Sequence, residues 1–342
     1  MVASTEVSLP PGAVTDLVTR ALVASGASRP NAVSTATALV AAQVDGQAGH
    51  GLSRVASYAA QLRTGKIDGY AAPVSTRTRA ASVRIDARGG FAYPALDLAI
   101  DSLNSLTRET GVAVAGIFAS HHIGQAGRTV ERLADRGFVA LVVSNTPRAM
   151  AFHGGVHPKL GTNPIAFAAP LPGRAPLVID LALSLAARAR ILAAQKTGQP
   201  IPTEWAIDAS GKPTSDATAA LAGALLPAGG AKGSALALML EILCGALAGG
   251  HFAWEASSFL DDRGSSPGVG QMLIAFDVGA FSGAGFAARM TDLMSEVALE
   301  PAVRLPGDRR LASRTRVLTH GLTLDAATYA QLTQLAGKEP EA

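Results

Sequence analysis

Between residues 82 and 278 short β-branched runs recur along the chain, most of them parted by helical segments. This pattern constrains the fold more than any other feature. The runs are SVRIDA (82–87), VAVAGIFAS (112–120), FVALVVSN (138–145), PIAFAAP (164–170), LVIDLA (177–182) and QMLIAFDV (271–278). Helical segments are expected near 94–109, 126–136, 185–196, 232–248 and 283–299. Short strand-like runs of this kind interleaved with helices predict an α/β or mixed α+β core.

The first seventy residues read differently. Leu17, Val18, Leu22 and Val23 recur at helical spacing, Gly26 supplies a stop, and Pro30 suits the first turn of a second helix. A third helical segment is expected over roughly Leu52 to Leu62. The stretch 197–230, rich in Pro, Gly, Thr and Asp, reads as a long irregular excursion that can pass over a ligand. LDAATYAQLTQLAG, near the C-terminus, reads as a last helix. The expected organisation is a helical lobe from 1–75 plus 300–342, and an α/β core over 76–299.

Composition excludes several classes. Apolar residues make up 48% of the chain but aromatics only 5%, so the core must be packed from Ala, Val and Leu. A net charge of +3 is scattered except around Arg309–Arg310, which argues against a nucleic-acid stripe. Cys244 is the single cysteine and sits in an apolar run; it reads as a small buried hydrophobe in a reducing compartment. MVASTEVSLP lacks the basic-then-apolar order of a signal peptide. SALALMLEILCGALAGG carries Glu241 at its centre and is marginal for spanning a bilayer, so a core helix is expected. A cytoplasmic protein without membrane or nucleic-acid partners follows.

Five segments can carry chemistry. In the third helical segment Leu52, Val55, Ala59 and Leu62 share one side, while His50, Arg54 and Tyr58, each four residues apart, share the other. Arg can clamp a carboxylate, and His can protonate a neighbouring atom near neutral pH. Gly49 and Gly51 leave room beside His50. On spacing alone, an ordinary solvent-facing polar face explains the stripe at least as well. SHHIGQAG (120–127) joins a strand to a helix start, where backbone N–H groups can hold phosphate, but it is not GxGxxG. Adjacent His121 and His122 point to opposite sides of a strand end, so no metal site is expected. HPKLGTNPIAFAAP contains a tight turn in which Thr162 and Asn163 can meet a ligand. GGAKG places Lys232 at a helix start, but Gly233 stands where a phosphate-binding P-loop needs Ser or Thr. RLPGDRR (304–310) can grip a phosphate or be a solvated basic loop.

Taken in order, these segments resemble the type-2 malate/L-lactate dehydrogenase family over about residues 10 to 325. The resemblance rests on GHGLSRVASY, HHIGQAG, GTNPIAFAAP, DLALS, GGAKG and RLPGDRR. It implies a homodimer with a non-Rossmann NAD(P)-binding α/β fold, in which the helical lobe serves substrate and dimer contacts. It further implies hydride transfer between NAD(P)H and the 2-carbon of a small 2-oxo acid of the malate, lactate or sulfolactate type. The alternative is reduction of the cyclic imines Δ1-piperideine-2-carboxylate or Δ1-pyrroline-2-carboxylate. The catalytic set so implied is His50, Arg54 and His122, and substrate contacts fall on Arg54, Tyr58, Thr162 and Arg188. Cofactor contacts fall on His122, Ile123, Gly124, Gln125, Ala126, Asp180, Leu181, Ala182, Lys232, Pro306, Gly307, Arg309 and Arg310. The two last arginines tilt the cofactor toward NADP over NAD. Two features depart from relatives: Gly49 where many have Ser, and Arg188–Ala189–Arg190 where the imine reductases resemble His-Gly-Asp and malate and lactate types Arg-Gly-Lys. The cations favour a substrate with a second acidic group.

Overall fold

The computed structural model describes residues 6–300 and 302–337; Met1–Thr5, the start of the segment inspected for a signal peptide, lie outside the described residues. All six β-branched runs become strands of one seven-stranded sheet. They are β2 (Ser82–Asp86), β3 (Val112–Ser120), β4 (Phe138–Ser144), β5 (Ile165–Leu171), β6 (Arg174–Leu181) and β7 (Val269–Asp277). The seventh, β1 (Val74–Arg79), was missed by the hydrophobic pattern for a plain reason: VSTRTR is an edge strand exposed at every position.

The strand order is β1-β2-β3-β7-β4-β5-β6. Only β2 and β3 run parallel, joined by the crossover helix α4 (Ala92–Thr110). Every other neighbouring pair is antiparallel. A doubly wound dinucleotide-binding sheet is built from parallel strands, so this mixed sheet accords with the missing glycine fingerprint.

Alternate residues of the central strands enter two cores, one on each face, as strand geometry requires. Ala113, Ala115 and Ile117 of β3, with Phe138, Ala140 and Val142 of β4, face the first core. There they meet α1 (Pro11–Ala24), α2 (Arg29–Val44), α3 (Val55–Arg63), α4 and α5 (Ala126–Ala134). Val143 and Met272 turn to the second core, beside α6 (Arg188–Thr197) and α7 (Ala231–Glu241). Cys244 is fully buried there, and burial pushes its thiol pKa up. α7 ends in a π-helical turn, Ile242–Leu247.

Glu241, the charge inside the membrane-like run, is buried and fully engaged. It accepts from Asn145 Nδ2 (3.1 Å), Asn163 Nδ2 (2.8 Å) and the Ala253 N–H (2.5 Å). Among the described residues no helix is long and apolar enough to cross a membrane. The 197–230 segment is more regular than its composition predicted. It contains a short helix, Ala217–Ala222, and two short strands, Ala206–Ile207 and Ala224–Leu225. These strands join Met150–Ala151 and Pro158–Leu160 in a four-stranded sheet, and Ala206, Ala220 and Leu225 are buried in the second core. Helices α8 (Gly285–Ala298), α9 (Asp308–His320) and α10 (Ala326–Ala336) complete the chain, α10 being the expected last helix.

Candidate active site

GHGLSR is not the start of a continuous helix. It forms two 3-10 turns, Ala48–His50 and Leu52–Arg54, before α3 begins at Val55. The turns are pinned from behind, because Gln43 Oε1 accepts the Leu52 N–H (3.1 Å) and Arg54 Nε donates to the Gly49 carbonyl (2.7 Å). The polar stripe therefore faces inward, against the β3–α5 turn, and the solvent-facing reading falls away. His50 Nδ1 stands 3.3 Å from His122 Nε2, with the ring planes 16° from parallel and their centroids 5.2 Å apart. On its far side His122 Nδ1 is 2.8 Å from the Tyr58 hydroxyl, which is 3.3 Å from the Tyr93 hydroxyl. The Phe259 ring leans on His122 with centroids 5.1 Å apart. His121 points elsewhere, to Gln61 Oε1 at 2.7 Å, as alternation along a strand end requires.

Burial sets the charge states. It lowers the His50 pKa to about 4, with the Arg54 charge adding to the shift. Burial, Lys66 and Arg54 lower His121 to about 3. His122 is held well below the usual histidine range by burial, then by Arg54 and the neighbouring histidines. The Tyr58 and Tyr93 hydroxyls are pushed up by burial. All five groups are thus neutral near pH 7, and Arg54 is the cation among them.

His50 and Arg54 open onto a cavity of about 520 Å³. The two 3-10 turns line it with Gly49, His50 and Arg54, and the β3–α5 turn with His122, Ile123 and Gly124. Thr162, Asp180, Ala182 and Arg188 line it as well, each from a segment singled out in the sequence. The Asp180 carboxylate accepts the Gly127 N–H (2.8 Å); it is open to the cavity yet ringed by protein, which raises its pKa against that hydrogen bond and the Arg310 charge. Arg54 Nη1 and Arg188 Nε are buried without a hydrogen-bond partner, and burial lowers the Arg188 pKa. The N-terminus of α6, which carries Arg188, has no side-chain cap. Unpaired guanidinium donors beside an uncapped helix start make a donor set for anions, and carboxylates and phosphates both fit it.

Other sequence candidates lie outside this cavity. Tyr58 is fully buried behind His122, and Gln125 and Ala126 sit further along the same turn. Leu181 is 53% exposed, and Lys232 is exposed on the first turn of α7. Arg190 and Arg309 are exposed, and Pro306 and Gly307 are set apart from the lining. Arg310 is buried against Glu131 (2.9 Å), in a cluster where Arg314 also holds Asp45 (2.9 Å) and Glu131 (3.0 Å). None of 197–230 lines the cavity. Two lining segments escaped sequence reasoning: Thr146–Ala149 after β4, and Ala256–Leu260. Neither has a periodic signature; the second sits in the long helix-to-β7 connection, and that length was the available signal. Among the described residues no cluster of three metal-ligating side chains occurs.

Comparison with known proteins shows the family. The family model described as malate/L-lactate dehydrogenase matches residues 9–333. The chain is 47% identical over 300 residues to a (2R)-3-sulfolactate dehydrogenase (NADP(+)) of Chromohalobacter salexigens, covering 87% of this chain and 89% of that one. It is 40% identical to a Δ1-pyrroline-2-carboxylate/Δ1-piperideine-2-carboxylate reductase of Pseudomonas syringae pv. tomato, covering 94% of each. Its fold superposes on the crystal structure of Δ1-piperideine-2-carboxylate reductase from Pseudomonas syringae pv. tomato with a TM-score of 0.92 at 38% identity. That match covers 96% of this chain and 99% of the other. The protein belongs to the malate/L-lactate dehydrogenase family and is an NAD(P)-dependent dehydrogenase or reductase.

Proposed function

We propose that the protein interconverts a small 2-oxo acid carrying a second acidic group, of the sulfolactate or malate type, with its 2-hydroxy acid, using NADP(H). The observation that carries this reading is the pair of guanidinium groups, Arg54 and Arg188, each with a buried nitrogen left without a hydrogen-bond partner, opening onto the same cavity as His50. The relative named a sulfolactate dehydrogenase (NADP(+)) supports the substrate class and the cofactor.

In this reading Arg54 binds the carboxylate next to the reacting carbon, with Thr162 beside it. Arg188 and the start of α6 take the distal acidic group. His50 meets His122 through Nδ1, so its Nε2 is the atom left to hold the proton for the substrate 2-oxygen. Ile123, Gly124, Asp180 and Ala182 would hold the cofactor against the turn and the end of β6. When bound, the nicotinamide supplies or accepts the hydride. Phe259 and Ile123 exclude water from the reacting atoms, which strengthens every charge interaction there.

The test is a steady-state comparison of sulfopyruvate, oxaloacetate, pyruvate and the two cyclic imines. The dianionic oxo acids should give the highest kcat/KM. A preference for the cyclic imines would overturn the substrate class and select the second reading, which the superposed imine reductase favours. His50→Ala should lower kcat by about 10²- to 10⁴-fold, and unchanged turnover would remove His50 from the chemistry.

A homodimer belongs to the same proposal. Leu238, Met239, Ile242 and Leu247 are exposed along α7 and its π-turn, and Leu293 is exposed on α8. An apolar surface of this kind calls for a partner, and light scattering of the purified protein should give twice the chain mass. The lone buried thiol of Cys244 supports a cytoplasmic location.

A further inference from the structure

The mechanism above uses His50 and leaves a buried chain behind it unused. His50, His122, Tyr58 and Tyr93 are linked in sequence at 3.3, 2.8 and 3.3 Å. Tyr93 is also one of the residues lining a second cavity, of about 760 Å³, between α2, α4 and α5. The β3–α5 turn is the wall between the two cavities: Ile123 lines both, His122 and Gly124 line the active-site side, and Gln125 lines the other.

We propose that these four side chains form a proton wire, which carries a proton from the second cavity to His50 while ligands fill the active-site cavity. The inference rests on the acid/base role of His50. In the reductive direction His50 Nε2–H gives its proton to the substrate 2-oxygen, and His50 Nδ1 takes the proton of His122 Nε2. His122 Nδ1 then takes the Tyr58 hydroxyl proton, the Tyr58 oxygen takes that of Tyr93, and Tyr93 is reprotonated by water in the second cavity. Each group ends neutral, with both histidines in the other tautomer. Once product leaves, His50 Nε2 takes a proton from water in the active-site cavity and the reverse shift returns a proton to water in the second cavity, which restores the starting tautomers. The sum is one hydride from the cofactor and one proton from solvent. Oxidation runs the same transfers backwards.

The chain suits this role because no member needs to carry a net charge at rest. Burial disfavours the charged form of every link, and a concerted shift along a hydrogen-bonded chain avoids creating an imidazolium beside Arg54. The charged groups around the chain are few. Arg54 faces it from the Leu52–Arg54 turn, and Lys66 lies toward His121. Asp97, Asp101, Arg128, Arg132 and Arg136 edge the second cavity, where Arg132 pairs with Asp97 (2.6 Å) and Arg136 with Asp101 (3.1 Å).

Tyr93→Phe tests the wire at the link farthest from substrate, and Tyr58→Phe tests it one step nearer. Both remove only an oxygen, and thermal unfolding reports whether either variant is folded. In Tyr93→Phe, kcat should fall at least fivefold with KM for substrate and cofactor held within twofold. The solvent deuterium isotope effect on kcat should rise, while the isotope effect from deuterated cofactor falls, because proton supply has become limiting. A positional role alone would move KM and leave both isotope effects in place. Folded Tyr93→Phe and Tyr58→Phe enzymes with wild-type isotope effects would overturn the wire, provided that His50→Ala is inactive. Activity in His50→Ala would overturn the parent reading and the wire together.

Discussion

The backbone of Gln43 passes 3.1 Å from the point where a side chain would begin at Gly51, and its Oε1 would lie at 2.5 Å. That same Oε1 accepts the Leu52 N–H, so the tail of α2 is clamped onto the turn that presents His50 and Arg54. Gly49, on the other side of His50, meets only the Ala189 methyl at 3.4 Å, an ordinary contact. The two glycines therefore differ in kind. Gly51→Ala should destabilise the protein by about 1–3 kcal/mol through overpacking and lower activity by displacing His50. Gly49→Ala should change kcat/KM by no more than about twofold, the equivalent of about 0.5 kcal/mol. Denaturant midpoints and steady-state kinetics of the pair check this; equal losses at both positions would contradict it.

Arg188 should separate substrates. Arg188→Gln removes a charge-assisted contact of about 1.5–3 kcal/mol, so kcat/KM for a dianionic 2-oxo acid should fall about ten- to hundredfold. Pyruvate, with one acidic group, should lose far less. A uniform loss across pyruvate, oxaloacetate and sulfopyruvate would place Arg188 on the cofactor instead.

Acid should loosen the fold earlier than carboxylate titration alone would. His50 and His121 are held neutral, with pKa values lowered from 6.5 to about 4 and about 3. The unfolded chain therefore binds more protons than the native one below pH 6.5. Their stabilisation is fully present above that pH and is lost as pH falls toward 4. At pH 5 each contributes a loss of about 2 kcal/mol. Urea midpoints measured from pH 7.5 to 4.5 should drop steadily, and a flat profile would refute the burial argument.

Glu241 should matter for stability more than its place in an apolar helix suggests. Glu241→Ala leaves the Ala253 N–H and one N–H of each of the Asn145 and Asn163 amides without an acceptor, while the other amide N–H keeps the His251 or the Ala237 carbonyl. Since a buried donor left unpaired costs about 1–3 kcal/mol, the variant should lose at least about 3 kcal/mol. Glu241→Gln keeps one acceptor oxygen and should lose less. Equilibrium unfolding of both variants, with the order reversed or the loss below 1 kcal/mol, would show that water replaces the carboxylate.

Much of this architecture was legible from residue pattern. The six strands that alternate between two cores announce themselves because each buries a face, whereas VSTRTR buries none and left no trace. Cys244 and the Ala-rich first helices were legible for the same reason: local hydrophobic periodicity records burial. The regular structure inside 197–230 was hidden because its strands are two residues long and are ordered only by pairing with distant Met150 and Ala151.

By itself the sequence determined the order of the six buried strands and of the main helices between them, an α/β core without a glycine fingerprint, and the ordered motifs that mark the family. Local propensity and motif spacing are written along one dimension, and these features need nothing more. Only the tertiary structure decided which motif residues meet. It turned Tyr58 inward to the back of His122, committed Arg310 to Glu131, left Lys232 in solvent, and brought Phe259 from a featureless loop onto the histidine pair. It also decided the charge states, since a histidine becomes a neutral link rather than a cation only when distant segments close around it and exclude water.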